Sequence, residues 1–226
     1  MVFGGLRGAK VNVQVPAGEV TLEGELNIPE GLRGFVLFAH GSGSSRHSPR
    51  NQYVGRVLQT ARIGTLLLDL LTREEDDTDR RTAKLRFNIG LLAKRLRQAT
   101  DWVAELPQIK DIKKGYFGAS TGAAAALLVA AELHGTGAVV SRGGRVDLAG
   151  SALPKVKAPT LLIVGGKDSE VVALNRKAMD EMNCEKRLEV VRGATHLFEE
   201  PGTLEEVARL AREWFELHLG GEGLFG

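Results

Sequence analysis

Residues 115–133, GYFGASTGAAAALLVAAEL, join a short apolar strand to an alanine-rich helix and place one serine hydroxyl, that of Ser120, at the junction. Gly118 and Gly122 flank this serine in the glycine-x-serine-x-glycine pattern of a nucleophile elbow. In such an elbow the strand and helix backbones approach closely, so both flanking positions must lack a side chain. The alternative is a serine that only caps the helix. The local pattern leaves both interpretations open.

The remaining sequence predicts a mostly parallel sheet. Apolar residues alternate with polar ones in 11–15 and again in 20–28, with a PAGE turn between them, which predicts an N-terminal β-hairpin. Apolar runs without alternation then follow, as is typical of strands buried on both faces: GFVLFAH, GTLLLDLL, GYFG, GAVVSR, PTLLIVGG and RLEVVRG. Helical stretches separate these runs, so the sequence predicts an α/β fold with about eight strands.

Two helices are predicted from apolar stripes within residues 89–103 and 204–215. The second is expected to begin with a capping box formed by Thr203 and Glu206. The acidic stretch at 72–81, TREEDDTDRR, interleaves carboxylates with arginines and contains no histidine. We expect a solvated, salt-bridged loop there instead of a metal site.

Composition limits the classes of partner. The chain has 226 residues, enough for one sizeable core, and its 30 basic and 28 acidic side chains give a net charge of +2. This balance argues against a nucleic-acid partner. The longest purely apolar run, 123–131, is too short to span a membrane, and the single cysteine, Cys184, fits a reducing compartment. We expect one cytoplasmic domain without a membrane partner. Composition does not decide whether the protein forms a homodimer.

Polar groups follow several strand ends, where ligands bind in open parallel sheets. A serine nucleophile needs a base that is itself oriented by an acid. His196 alone among the five histidines follows the final strand, and Asp168 directly follows the seventh. This gives the chain order serine, aspartate, histidine that is typical of α/β-hydrolases. Asp168 capping the next helix is the competing interpretation, and Glu170 and Asp147 are weaker candidates for the acid.

The oxyanion of the attacked carbonyl needs preorganised N–H donors. We expect one from Thr121, at the start of the helix, and the other from Ser42, in the glycine-rich loop after the third strand. His40 is then expected to organise that turn. The other candidates for the substrate pocket are Gly41, His47 and Arg142. Arg142 either meets an anionic group of the substrate or pairs with Asp147.

Together, the segments FVLFAHGSGSS, GASTG, LLIVGGKD and GATHLF resemble the α/β-hydrolase superfamily, and within it the small lidless members similar to dienelactone hydrolases. The resemblance covers nearly the whole chain, 1–226, as a single α/β-hydrolase domain. It implies a mostly parallel eight-stranded sheet with helices on both faces, no cap domain, and no cofactor or metal. It also implies a triad of Ser120, His196 and Asp168, with Ser42 and Thr121 as the oxyanion hole.

One residue departs from the family pattern. Dienelactone hydrolases proper have cysteine at the elbow, whereas this chain has Ser120 there. We therefore expect a serine carboxylesterase that acts on small soluble esters or thioesters, because the short interval between Arg142 and Pro159 leaves no room for a substantial lid. A lactone hydrolase and an acyltransferase are close alternatives.

Two alternatives belong to other classes. The chain could be a degenerate hydrolase that acts only as a binding module. It could also bind a nucleotide, since residues 35–46 form a strand and a glycine-rich loop, and Asp69 ends the next strand. Arg46 stands where the third glycine of that fingerprint would be, and no lysine-serine pair forms a phosphate loop.

Overall fold

Eight strands form a single sheet in the computed structural model, which describes residue 8 and residues 10–220. The strands are β1 (Lys10–Ala17), β2 (Val20–Asn27), β3 (Gly34–Ala39), β4 (Ile63–Leu68), β5 (Lys114–Ala119), β6 (Thr136–Arg142), β7 (Thr160–Gly165) and β8 (Lys186–Val191). Their order is β1-β2-β4-β3-β5-β6-β7-β8. Strand β2 runs antiparallel to both of its neighbours, β1 and β4, and all strands from β3 onward are parallel. The predicted mostly parallel, eight-stranded sheet is confirmed.

Helices cover both faces of the sheet. They are α1 (Pro49–Thr60), α2 (Arg73–Thr82), α3 (Ile89–Ala104), α4 (Thr121–Glu132), α5 (Ser169–Glu181) and α6 (Thr203–Leu219), and a 3-10 helix spans Val146–Lys155. One buried core lies under α3, α4 and α5, and a second lies under α1 and α6. The described chain has the α/β-hydrolase fold without a cap domain. None of the described helices is long and apolar enough to cross a membrane.

The alanine-rich helix α4 is buried almost all round. Ala123, Ala124, Ala125 and Ala126 have no exposed surface, and α4 packs against α3, β5 and the 3-10 helix. A helix with methyl side chains is thin, so it lies close behind the sheet. This close packing brings the start of α4 directly against the end of β5.

The prediction of a loop at 72–81 was wrong, since α2 occupies most of this stretch. Thr72 and Glu75 form a reciprocal capping box, in which the Thr72 hydroxyl accepts from the Glu75 N–H at 3.3 Å and the Glu75 carboxylate accepts from the Thr72 N–H at 2.9 Å. The same carboxylate pairs with the buried Arg95 of α3 at 2.5 Å. Arg95 holds the pKa of Glu75 below its ordinary value. The helix is stabilised by its cap and by ion pairs, which explains why it has no apolar stripe.

The predicted capping box at the start of α6 was also wrong. Gly202, in the left-handed region at φ 81°, precedes the helix, and Thr203 is already its first residue. The Thr203 hydroxyl donates to the Glu200 carbonyl at 2.7 Å, while the Glu206 carboxylate accepts from Arg209 at 2.7 and 2.8 Å. The chain turns into the helix through a glycine, so neither side chain is needed as a cap.

Candidate active site

Ser120 occupies a strained turn between β5 and α4. Its backbone has φ 49° and ψ −122°, in the region that favours glycine, and its side chain makes no capping hydrogen bond. The capping interpretation of this serine is therefore wrong. The flanking glycines are sterically required, because a Cβ on Gly122 would overlap the Ala39 carbonyl and lie 2.5 Å from the His40 carbonyl oxygen. A Cβ on Gly118 would lie 2.7 Å from the Ala123 nitrogen.

Asp168 and His196 meet across two strand ends. Asp168 precedes α5 directly after β7 but makes no capping bond, and its carboxylate instead lies 2.6 Å from His196 Nδ1. When the Nδ1–H group donates a hydrogen bond to this carboxylate, Nε2 carries no proton and is the basic nitrogen of the ring. The ring packs at the sheet edge, where a Cβ on Gly143, the residue after β6, would lie 3.5 Å from Nδ1.

The residues predicted for the oxyanion hole lie together. Thr121 is the first residue of α4, where a backbone N–H has no carbonyl partner within the helix. The hydroxyl of Ser42 lies 3.2 Å from that of Thr121, so the 41–48 loop runs beside the helix start. A Cβ on Gly41 would lie 2.9 Å from the Ser120 Cβ, which shows how closely the loop backbone approaches the serine.

His40 uses both ring nitrogens to hold the turn after β3. Nε2 accepts from the Leu70 N–H at 3.0 Å, so the proton is on Nδ1, which donates to the Gly41 carbonyl at 2.9 Å. These contacts tie the start of the 41–48 loop to the segment that follows β4. His40 therefore lies in the scaffold of the site, whereas His47 is exposed and its N–H bonds the Ser45 hydroxyl at 3.2 Å.

A second attachment of the 41–48 loop was not predicted from the sequence. The Arg46 N–H donates to Asp69 at 2.5 Å, and the Arg46 guanidinium pairs with Asp69 and with Glu23, the latter at 2.5 Å. The Arg46 carbonyl accepts from Gln52 at 2.8 Å. The Asp69 carboxylate is thus engaged within the protein, which argues against its role as a ribose ligand in a nucleotide site.

A small cleft with a cavity volume of about 10 Å³ opens beside the 41–48 loop. It is lined by residues 40–44 and Thr121, by Leu71 and Leu92, and by the Asp79–Arg86 ion pair, with N–O distance 2.6 Å. Asp79 is 2% exposed and accepts from the N–H groups of Leu85 and Arg86 at 2.7 and 3.1 Å. Burial opposes ionisation of Asp79, but Arg86 and these two N–H groups outweigh it and lower its pKa.

Replacing Asp79 by alanine is expected to destabilise the protein by about 3 kcal/mol at pH 7, because it leaves the Arg86 charge without its partner. The folded pKa of Asp79 lies below its unfolded value, so its contribution is present above about pH 4 and is lost as the pH falls through the folded pKa. Urea unfolding of both proteins at pH 7 and pH 3 measures the difference.

The matched control is Asp77→Ala on the exposed side of the same helix, where Asp77 pairs with Arg80 at 3.8 Å. This change is expected to shift the unfolding free energy by less than about 0.5 kcal/mol. Equal stabilities of the Asp77 and Asp79 variants at pH 7 would contradict the structural role of the buried pair.

Arg142 ends β6 inside the protein. It is 7% exposed, and burial, followed by the charge of Arg50, lowers its pKa to about 10. The alternative in which Arg142 pairs with Asp147 is wrong, since Asp147 accepts two bonds of 2.9 Å from Arg145. The alternative was based on the short distance along the chain between Arg142 and Asp147. In the structure Arg145, which lies closer along the chain, occupies the Asp147 carboxylate.

Comparisons with known proteins agree on the family. The model of the dienelactone hydrolase family matches residues 61–217. The crystal structure of dienelactone hydrolase from Anabaena variabilis is 59% identical, with a TM-score of 0.91 and coverage of 93% of this chain and 98% of that one. Est1E from Butyrivibrio proteoclasticus is similar in fold alone, with 15% identity, a TM-score of 0.76 and coverage of 92% and 98%.

Curated relatives from two strains of Mycobacterium tuberculosis are 57% identical over 215 residues and bear the provisional name of phosphoribosyl transferase. The match covers 95% of this chain and 48% of each relative. The chain thus spans about half the length of these relatives.

Proposed function

This chain belongs to the dienelactone hydrolase family, and we propose that within it the protein is a serine carboxylesterase that cleaves small esters or thioesters. One observation supports the proposal. The strained turn at Ser120 lies at the same edge of the sheet as Asp168 and His196, which are joined by a hydrogen bond of 2.6 Å. A serine near a helix start has many uses, but this combination is the one that nucleophilic catalysis requires.

The proposed reaction runs through an acyl-enzyme. The Ser120 hydroxyl attacks the ester carbonyl, its proton passes to His196 Nε2, and Asp168 stabilises the imidazolium. The N–H groups of Ser42 and Thr121 stabilise the oxyanion of the tetrahedral intermediate. Its collapse breaks the bond to the alcohol or thiol, which takes the proton from His196. Water then attacks the acyl group by the same steps and releases the acid and free Ser120.

The surroundings of Ser120 favour small acyl groups. The cleft beside the 41–48 loop has a cavity volume of only about 10 Å³, far below that of a pocket for a drug-sized ligand. Its walls include the Leu71 and Leu92 side chains and the Asp79–Arg86 pair, which leaves little space for a long chain.

Labelling with a fluorophosphonate tests the proposal. We expect a single adduct on Ser120, located by peptide mass spectrometry, because this reagent needs an activated serine. The labelling rate should fall by about 10³-fold in His196→Ala, since that variant lacks the base. The control is His134→Ala, which changes an exposed histidine just beyond α4 and should label at the wild-type rate.

An adduct elsewhere, or an equal rate in both histidine variants, would show that Ser120 is not activated by His196. The binding-module alternative predicts no adduct at all. A series of p-nitrophenyl esters from acetate to octanoate then tests the proposed acyl preference, with kcat/KM expected to decrease as the chain outgrows the cleft.

A further inference from the structure

The guanidinium of Arg142 is buried without a counter-charge. Among the described residues it has no ion pair, and its Nε and Nη1 atoms have no hydrogen-bond partner. A buried charge is costly unless it is paired and hydrogen-bonded, so an arginine of this kind calls for a partner that the chain itself does not supply. The acid nearest in sequence, Asp147, is already held by Arg145.

Arg142 is anchored between the groups proposed for catalysis. β6 lies between β5 and β7, the strands that lead to Ser120 and Asp168. The Arg142 carbonyl accepts from the Ser120 N–H at 3.3 Å, and the next residue, Gly143, packs against the His196 ring. We therefore expect an anion bound by this side chain to lie within reach of a substrate held at Ser120.

A second guanidinium faces the same region. Side chains alternate along a strand, so Arg142 shares the sheet face of Val140, which α1 and α6 cover. Arg50 lies in the first turn of α1, and its Nε is also buried without a partner. Its Nη1 lies 3.4 Å from Glu199, whose side chain is 64% exposed. Two positive charges are thus offset by one largely solvated carboxylate.

We propose that Arg142, assisted by Arg50, binds an anionic group of the substrate that is separate from the scissile ester. The preferred esters would therefore carry a carboxylate or a phosphate elsewhere in the molecule. This inference rests on the proposed esterase function. Planar guanidinium groups bind both kinds of oxyanion through paired N–H donors. The bound anion would supply the charge and the hydrogen-bond acceptors that the buried Arg142 side chain lacks.

Three matched p-nitrophenyl esters test the proposal: the neutral pentanoate, the glutarate with a terminal carboxylate, and the 4-phosphonobutanoate with a terminal phosphonate. The measurement is the ratio of kcat/KM for each anionic ester to that for the pentanoate. We expect Arg142→Gln to lower this ratio by about 10- to 100-fold, the range of a hydrogen bond to a charged group. The anionic ester whose kcat/KM ratio decreases more in Arg142→Gln identifies the preferred anion.

Further variants guard against a folding defect in Arg142→Gln. Arg142→Lys keeps the charge but loses the planar fork, so its ratio should fall between those of the wild type and Arg142→Gln. Arg50→Gln, on the half-buried first turn of α1, should also lower the ratio. The control is Arg145→Gln, which removes the ion pair with Asp147 and should leave the ratio within about 2-fold.

The outcomes separate the two proposals. An unchanged ratio in all Arg142 and Arg50 variants, with the neutral ester still hydrolysed, would overturn the anion site and leave the esterase function standing. Failure of the wild-type protein to hydrolyse any of the three esters would overturn both. Equal losses in Arg145→Gln and Arg142→Gln would show a general effect on the site and would also overturn the assignment of Arg142.

Discussion

Replacing Ser120 by alanine is expected to lower kcat for a short p-nitrophenyl ester by about 10⁴-fold or more, because no other group in the proposed site can form the acyl-enzyme. The residual rate would come from the oxyanion donors and from binding alone. The stability should stay close to that of the wild type, since the Ser120 side chain makes no capping hydrogen bond that alanine would remove.

A second substitution at the same position separates the effect of backbone strain on stability from the effect of the hydroxyl on activity. Ser120→Gly should be equally inactive but at least as stable as the wild type, because glycine adopts φ 49° without the steric cost that serine carries. The control is Ser151→Ala, at an exposed serine in the 3-10 helix, which should retain full activity. Retained turnover in Ser120→Ala, in protein free of wild-type contamination, would point to another nucleophile.

Replacing Gly122 by alanine is expected to destabilise the fold by about 3 kcal/mol or more. The added Cβ would overlap the Ala39 carbonyl and lie 2.5 Å from the His40 carbonyl oxygen, and both obstacles are backbone atoms that cannot rotate away. A loss of this size corresponds to a decrease in Tm of roughly 6–12 °C for a chain of this length. Calorimetry or thermal unfolding monitored by circular dichroism measures it.

The matched control for Gly122→Ala is Gly90→Ala. Gly90 lies exposed in the first turn of α3, and a Cβ there would have no neighbour closer than Asn88 Oδ1 at 3.8 Å. Alanine is the better helix former, so this variant should be as stable as the wild type or more stable by about 0.5–1 kcal/mol. Equal destabilisation by both changes would show that the elbow is not sterically constrained.

The sequence predicted the strands and the residues at their ends because those features follow simple rules. Apolar runs without alternation are typical of strands buried on both faces, and the carboxyl ends of parallel strands meet at one edge. Asp168 and His196 could therefore be placed together although 28 positions separate them. The steric requirement at Gly118 and Gly122 was likewise readable from local spacing.

The features that sequence analysis missed depend on contacts between distant side chains. Helix α2 has no apolar periodicity, and it is stabilised by its capping box and by the pairs Asp79–Arg86 and Glu75–Arg95. The pair of Arg46 and Asp69 joins a loop to a strand end 23 residues later. No periodic pattern marks such pairs, because a charged residue has many candidate partners along the chain and only the fold selects one.

The position of β8 has a consequence for the dynamics of the site. This strand is the last in the sheet and pairs only with β7 among the described strands, yet the loop that follows it carries His196. Edge strands open locally at a lower free-energy cost than the centre of a sheet. We therefore expect the contact between Asp168 and His196 to be broken by local opening of this edge more often than the turn that holds Ser120, because that turn follows β5, which is paired on both sides.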